Sequence, residues 1–160
     1  MKKYAFNVAV VFCCIVQNGQ ILLIRREKPP AYHEYTIVGG KKERGENLFA
    51  ACKREVLEET GLHAHTLKLR GVVNNILEGM DFEVTAYYFL CENFSGQLRS
   101  SAEGALEWCD LKSSFHKKGI SDYYLRIVPF VFQSEDVFLG SLFVERTGNI
   151  RRFDIQTPSL

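Results

Sequence analysis

Between Asn47 and Gly61 lies the segment that most restricts the fold. Asn47 is a suitable N-cap and Gly61 a suitable left-handed residue after a helix, so a helix is predicted from Leu48 to Thr60. On a wheel of about 100° per residue, Phe49, Cys52 and Val56 share one face, with Leu48 and Leu57 at its edges. That stripe is expected to pack on a sheet. Glu55, Glu58 and Glu59 cluster on another face, with only small Ala51 beside them. Like charges three and four residues apart repel by about 0.2–0.5 kcal/mol per pair. A cation between them removes the conflict. Oxygen-only ligands select hard ions, so Mg²⁺ or Mn²⁺ is the expected cofactor, with substrate phosphates completing the shell. Arg54 stands four residues before Glu58 and can hold it. The plainer reading is an exposed helix laced with ion pairs.

Upstream spacing argues against the plainer reading. Gly40, five residues, Glu46, seven residues, then Arg54-Glu55-Val56-Leu57-Glu58-Glu59-Thr60-Gly61-Leu62 resembles the Nudix box at every fixed position. Helical amphipathicity would not place Gly40 and Glu46 at those distances. The resemblance implies a Nudix-type α/β/α sandwich, with a central mixed sheet and a loop–helix–loop catalytic motif. It also implies hydrolysis of a nucleoside diphosphate linked to another group. It makes the Gly40 carbonyl and the carboxylates of Glu55, Glu58 and Glu59 metal ligands, one of these acids also a base. Glu46 then pins the loop to the helix, and Arg54 orients the acids. The box covers 40–62. The order of the flanking strands extends the resemblance to a single domain over 1–160. Val38 departs from the pattern, standing where many members carry proline, which alters loop stiffness more than chemistry.

Along the chain, Phe6 to Val16 reads as a buried strand and Asn18-Gly19 as a type I′ hairpin turn, with Ile21 to Ile24 returning. Glu27 to Tyr35, with Pro29-Pro30, reads as a loop, and Thr36 to Val38 as a short strand entering Gly39-Gly40. Strands are predicted at Leu67–Val73 and Phe82–Cys91, then a polar loop from Asn93 to Ala102 and a short strand or turn at Leu106–Leu111. Tyr123 to Phe132 has helical spacing, with Pro129 expected to kink or end it. Val137–Val144 and Ile150–Ile155 form a closing hairpin around Thr147-Gly148-Asn149. Strands and helices alternate but two strand pairs are hairpins, which favours a mixed sheet covered on both sides.

Further candidates lie outside the box. Arg25 and Arg26 end the second strand, where many Nudix enzymes place a phosphate-binding arginine; Arg26 is the better match, against two solvated arginines. Glu103 lies in a loop that in the family often supplies a further ligand or general base, against a plain exposed acid; Glu107 is a weaker competitor. Trp108 could stack on a base, although a lone tryptophan is more often core. Asp122 could read a purine edge, or could merely N-cap the helix starting at Tyr123. The histidines have no metal-ligand spacing.

Composition bounds the partners. A formal net charge of +1 leaves no global basic field for duplex nucleic acid, and a small nucleotide is the expected partner. No apolar run approaches the ~20 residues of a spanning helix, so no membrane partner is expected. Five cysteines at no ligand spacing read as small buried hydrophobes in a reducing cytoplasm. A homodimer stays open.

The start Met1 to Val10, the segment Phe94-Ser95-Gly96-Gln97-Leu98, and Glu103 with Trp108 resemble the MutT-like branch. The tail from Gly119 to Phe143 resembles the purine-recognising end of enzymes that clear oxidised purine nucleotides. No proline stands between Pro30 and Pro129, which counts against the ADP-ribose and coenzyme A subgroups. The expected substrate is a nucleoside triphosphate such as 8-oxo-dGTP, cleaved to the monophosphate and pyrophosphate. A pyrophosphatase for a pterin triphosphate or nucleotide sugar, and a non-catalytic nucleotide sensor, are the alternatives. The complete acid set argues against the sensor.

Overall fold

The structure is a computed structural model, described here for residues 6–29 and 31–156. Met1 to Ala5 and Pro30, used in the sequence reading, lie outside the described residues. The elements are β1 (Phe6–Gln17), β2 (Gln20–Arg26), β3 (Tyr35–Thr36), β4 (Val38–Lys41), α1 (Leu48–Thr60), β5 (Leu62–Leu77), β6 (Phe82–Gly96), β7 (Gly104–Asp110), α2 (Leu111–Ser114), α3 (Asp122–Gln133), β8 (Phe138–Val144) and β9 (Ile150–Gln156).

The sheet is mixed, with path β3-β2-β1-β6-β5-β8-β9. β1 with β6 and β5 with β8 are parallel; the other pairs are antiparallel. β1 divides its partners. Val10 to Cys13 pair with β4, while Val16 and Gln17 pair with β2 across the Asn18-Gly19 turn. Both turn residues have positive φ, 49° and 74°, as a type I′ turn requires. β2 in turn pairs along its length with β7, ending at Arg26 opposite Gly104.

Two buried clusters lie on opposite faces of the sheet. Cys14, Ile21, Leu23, Tyr88 and Phe138 pack under α3 through Tyr124, Ile127, Val128 and Val131. Val11, Cys13, Ile15, Leu22 and Phe89 pack under α1 through Ala51, Cys52 and Val56. This is the α/β/α sandwich expected from the sequence. Pro129 sits inside α3 without ending it. Pro129 is exposed, and helical residues follow it to Gln133.

Two expectations about α1 and α3 need correction. Phe49 was expected in the packed stripe of α1, but it is 52% exposed and touches the core only by tilting against Phe89, with 5.5 Å between ring centroids. The buried side is instead Ala51, Cys52, Val56, Glu59 and Thr60. The helix is rotated so that part of its acidic face points inward. Asp122 is not the cap of α3; Ser121 is, its side chain accepting from Tyr124 N at 3.1 Å. Other boundaries differ in extent. β5 begins at Leu62 and β6 reaches Gly96, because the pairing of Leu62 with Gly96 continues the ladder into the polar stretch. The short helix α2 was not anticipated.

Candidate active site

The inward turn of α1 brings its acids against β4. Gly39 and Gly40 lie within the ladder to β1, opposite Phe12 and Val11. A Cβ at Gly39 would stand 2.2 Å from the Val11 carbonyl oxygen. A Cβ at Gly40 would stand 2.5 Å from Glu55 Oε1. Side chains are excluded at both positions, for different reasons. At Gly39 strand backbone is in the way, whereas at Gly40 a carboxylate is. Gly39 N donates to Glu59 Oε2 at 3.2 Å, tying the end of α1 to the glycine pair.

Arg54 gathers the remaining parts. Its Nε donates to Glu46 Oε1 at 2.6 Å and Nη2 donates to Glu46 Oε2 at 3.1 Å, a two-pronged grip. Nη1 donates to Glu55 Oε1 at 2.8 Å and Glu58 Oε2 at 3.3 Å. Nη2 also reaches the Lys41 carbonyl at 3.0 Å. Glu46 Oε2 accepts from Glu43 N, and Lys42 Nζ donates to the Glu46 carbonyl, closing the loop before α1. The Arg54 hydrogen bond holds the Glu46 carboxyl down at about 2, with the Glu43 amide adding to the effect. The same contact raises Arg54 itself.

The three helix acids differ in setting. Glu58 is exposed. Glu55 is half-buried and raised by burial, against the pull of Arg54. Glu59 is only 4% exposed, and burial pushes its carboxyl up to about 8. The Gly39 amide opposes that rise; the charges of Glu55 and Glu103 add to it, and Arg26 offsets part of it. Among the described residues no three acids close around a point at ligand distance. Arg54 holds two of the three, Glu55 and Glu58. The donor set nevertheless suits a hard divalent cation: every group is an oxygen, and the contact between Gly40 and the Glu55 carboxylate puts main chain and acid side by side.

The sequence candidates outside the box divide into two groups. The charges of Arg26 and Glu103 both act on Glu59. Glu103 acts on Glu55 as well. Trp108, half-buried, stacks on Phe94 with 6.0 Å between centroids and packs against the cluster beneath α1. Glu107 pairs with Lys117 at 2.8 Å. Asp122 is the exposed first residue of α3, paired with Arg126 at 3.1 Å. Its neighbours are tied to the strand before the glycines: Tyr35 N donates to the Gly119 carbonyl at 2.8 Å, and Ser121 N to the Tyr35 carbonyl at 2.9 Å. Sequence reasoning missed Lys28, whose Nζ donates to Glu103 Oε1 at 2.6 Å. A lysine 75 positions away, in a loop, carries no periodic signal.

Comparison with known proteins matches residues 6–128 to the NUDIX domain. An oxidized purine nucleoside triphosphate hydrolase from Danio rerio is 30% identical over 61% of this chain and 62% of its own length. An ADP-ribose pyrophosphatase from Methanocaldococcus jannaschii is 32% identical over 77% of this chain and 78% of its own. Among solved structures, a MutT protein from Bacillus halodurans matches with a TM-score of 0.83 at 24% identity, covering 93% of this chain and 97% of that one. A MutT Nudix hydrolase from Burkholderia pseudomallei matches at 0.68 and 26%, covering 79% and 97%. The chain thus spans less than two thirds of the Danio rerio relative's length.

The two glycines yield contrasting expectations. Gly39→Ala forces strand backbone apart and should cost about 1–3 kcal/mol of stability. Gly40→Ala meets only a side-chain end, so its melting temperature should stay close to wild type. Displacing Glu55 should nevertheless lower turnover by roughly 10–100-fold. Melts and steady-state kinetics on both variants check this; wild-type turnover in Gly40→Ala would mean that the Gly40–Glu55 contact does not position the acid.

Glu59 sets a pH dependence. Its folded value near 8 lies above the ordinary 4.5, so the metal-free protein gains most from this group below about 4.5 and loses that gain as pH rises through 8. A divalent cation favours the ionised form. Added Mg²⁺ should therefore raise the melting temperature more near pH ~8.5 than near pH ~6. Equal shifts at both pH values would separate Glu59 from cation binding.

Proposed function

The chain belongs to the Nudix family, and on that premise we propose that it is a single Nudix domain hydrolysing a nucleoside triphosphate to the monophosphate and pyrophosphate. The observation that carries this reading is the Arg54 grip on Glu46, Glu55 and Glu58 beside the glycine pair. A guanidinium that gathers three acids beside a glycine pair suits a site for an anhydride and its counterions. Mg²⁺ or Mn²⁺ at Glu55, Glu58, Glu59 and the Gly40 carbonyl would supply positive charge at the phosphate oxygens and acidify an attacking water.

The chain's own groups do the rest. Glu59, buried and raised, is suited to hold or accept a proton near neutral pH. Glu103 faces the same acids from the β7 side and is a second candidate for that role or for a ligand. Arg26, at the end of β2, offers a guanidinium to phosphate. Arg54 offsets the repulsion between Glu55 and Glu58 and draws the two acids together. Asp122 reads a purine edge, with its two oxygens accepting from adjacent donors on a guanine-type base. In support, Ser121 takes the capping role, and the Gly119–Ser121 segment is bonded to the strand that leads to Gly39. Five free cysteines suit a reducing cytoplasm. Among the described residues no helix is long and apolar enough to cross a membrane.

One observation favours a second reading. The Methanocaldococcus jannaschii relative named for ADP-ribose aligns over more of this chain than the relative named for oxidised purine triphosphates. A panel of 8-oxo-dGTP, dGTP, dATP, dCTP and ADP-ribose, scored for products, decides between them.

Reaction in ¹⁸O water, with mass spectrometry of both products, should give nucleoside monophosphate and pyrophosphate with no primary release of phosphate. Free phosphate as first product would exclude this reading. Glu59→Gln should lose most turnover at saturating Mg²⁺ while keeping its fold, because the change relieves repulsion of about 0.2–0.5 kcal/mol per pair. Wild-type turnover in that variant would remove Glu59 from the mechanism.

For Asp122→Asn, melting should change little, since the cap is Ser121. The kcat/KM ranking among the four nucleoside triphosphates should flatten, because a site built on polar contacts discriminates through them. An unchanged ranking would leave base recognition to other residues.

A further inference from the structure

Lys28 has no place in the motif, yet its Nζ donates to Glu103 Oε1 at 2.6 Å. The adjacent amide, Glu27 N, donates to the Glu103 carbonyl at 2.9 Å. Consecutive loop residues thus hold both the side chain and the main chain of Glu103. The loop is itself fixed. It leaves β2 at Arg26, which pairs with Gly104. Arg26 N donates to the Glu34 carbonyl at 3.0 Å and His33 N to the Arg26 carbonyl at 2.8 Å, closing the loop on its own base. Ala31 and His33 have φ of 62° and 65°, a backbone state that non-glycine residues keep only where surrounding contacts impose it. The loop is a built element.

Glu103 needs such an element. Its charge acts on both Glu55 and Glu59. It sits in a surface turn, with its side chain 34% exposed, and unheld it would swing into water. Lys28 is a monodentate point charge and engages Oε1.

We propose that Lys28 is a positioning residue that holds the Glu103 carboxylate over the acidic face of α1, against the repulsion of Glu55 and Glu59. The inference rests on the reading of Glu103 as a participant in hydrolysis. Lys28 acts through Glu103, and its effect should vanish once Glu103 cannot serve.

The test compares wild type, Lys28→Ala, Lys28→Arg, Glu103→Gln and the double variant Lys28→Ala/Glu103→Gln. Each is assayed with the nucleotide that wild type turns over fastest, at saturating Mg²⁺, beside metal-free melts. Lys28→Ala should lower kcat by roughly ten-fold, with KM for the nucleotide within about two-fold. Lys28→Arg, which keeps the charge, should recover most of the rate. The double variant should be no slower than Glu103→Gln alone, the mark of two residues acting as one unit. The metal-free melting temperature of Lys28→Ala should lie within about 2 °C of wild type, since so exposed a pair contributes little to stability. A larger drop would make Lys28 a structural residue and overturn the proposal. If Glu103→Gln is slow while Lys28→Ala is unchanged, Lys28 does not act on Glu103 and this inference alone fails. Full additivity in the double variant would likewise overturn it, by showing that Lys28 acts independently of Glu103. If Glu103→Gln itself runs at the wild-type rate, the role given to Glu103 fails, and that of Lys28 with it.

Discussion

Five N–H groups of the Arg54 guanidinium face five oxygens: two of Glu46, one each of Glu55 and Glu58, and the carbonyl of Lys41. No other side chain could do this. A lysine in the same place offers a point charge and three donors, without the planar fork that matches Glu46 at both oxygens. Three separate stretches of chain meet at this one group: the end of β4, the loop before α1, and α1 itself. The position of the acidic face relative to the glycine pair follows from that meeting. Glu46 is itself held by the Glu43 amide and carries Lys42 against its own carbonyl, so the loop cannot drift without releasing Arg54.

The rotation of α1 follows from the same geometry. An apolar stripe of Phe49, Cys52 and Val56 would bury the large aromatic ring and leave every acid in water. The fold instead buries Ala51 at 0% and Glu59 at 4% exposure and leaves Phe49 at the rim. Small Ala51 lets the helix come close to the sheet, and the glycine pair leaves room for carboxylates where side chains would otherwise stand. Burying Glu59 raises its proton affinity, a cost the chain accepts at a place where a cation can offset it. A helix optimised for stability alone would put Phe49 inward.

The sequence made the framework legible because its signals are local. Asn47 and Gly61 bound α1 to the residue, with Asn47 accepting from Ala50 N and Gly61 at φ 76°. Asn18-Gly19 marks the first hairpin, and the residue pattern of the box brings Arg54, Glu46 and the acids together as one group. What remained hidden depends on pairing between distant segments. β6 runs on to Gly96 because β5 starts at Leu62, which no property of Asn93 or Ser95 reveals. Ser121 and Asp122 are equally good caps by composition, and the choice turned on where Tyr35 binds the preceding loop. For Trp108 the sequence left base stacking and packing both open, favouring packing; in three dimensions its ring faces Phe94.

Lys28 and Glu103 illustrate the same limit from the functional side. Each sits in a polar stretch where a charge ordinarily means only solvation. Their significance comes from the β2–β7 ladder, which sets Arg26 opposite Gly104 and so places the residues just beyond each strand side by side. The ladder belongs to the scaffold, and its register decides which loop residues can touch. A slip of one position along β7 would turn every side chain to the opposite face and carry Glu103 away from both Lys28 and α1. The burial of Leu22 at 0% on β2, opposite Trp108 in the cluster beneath α1, resists that slip. Core packing on one face of the strand pair thereby governs which charges stand at its end, and Lys28 meets Glu103 because apolar side chains several residues away cannot exchange faces.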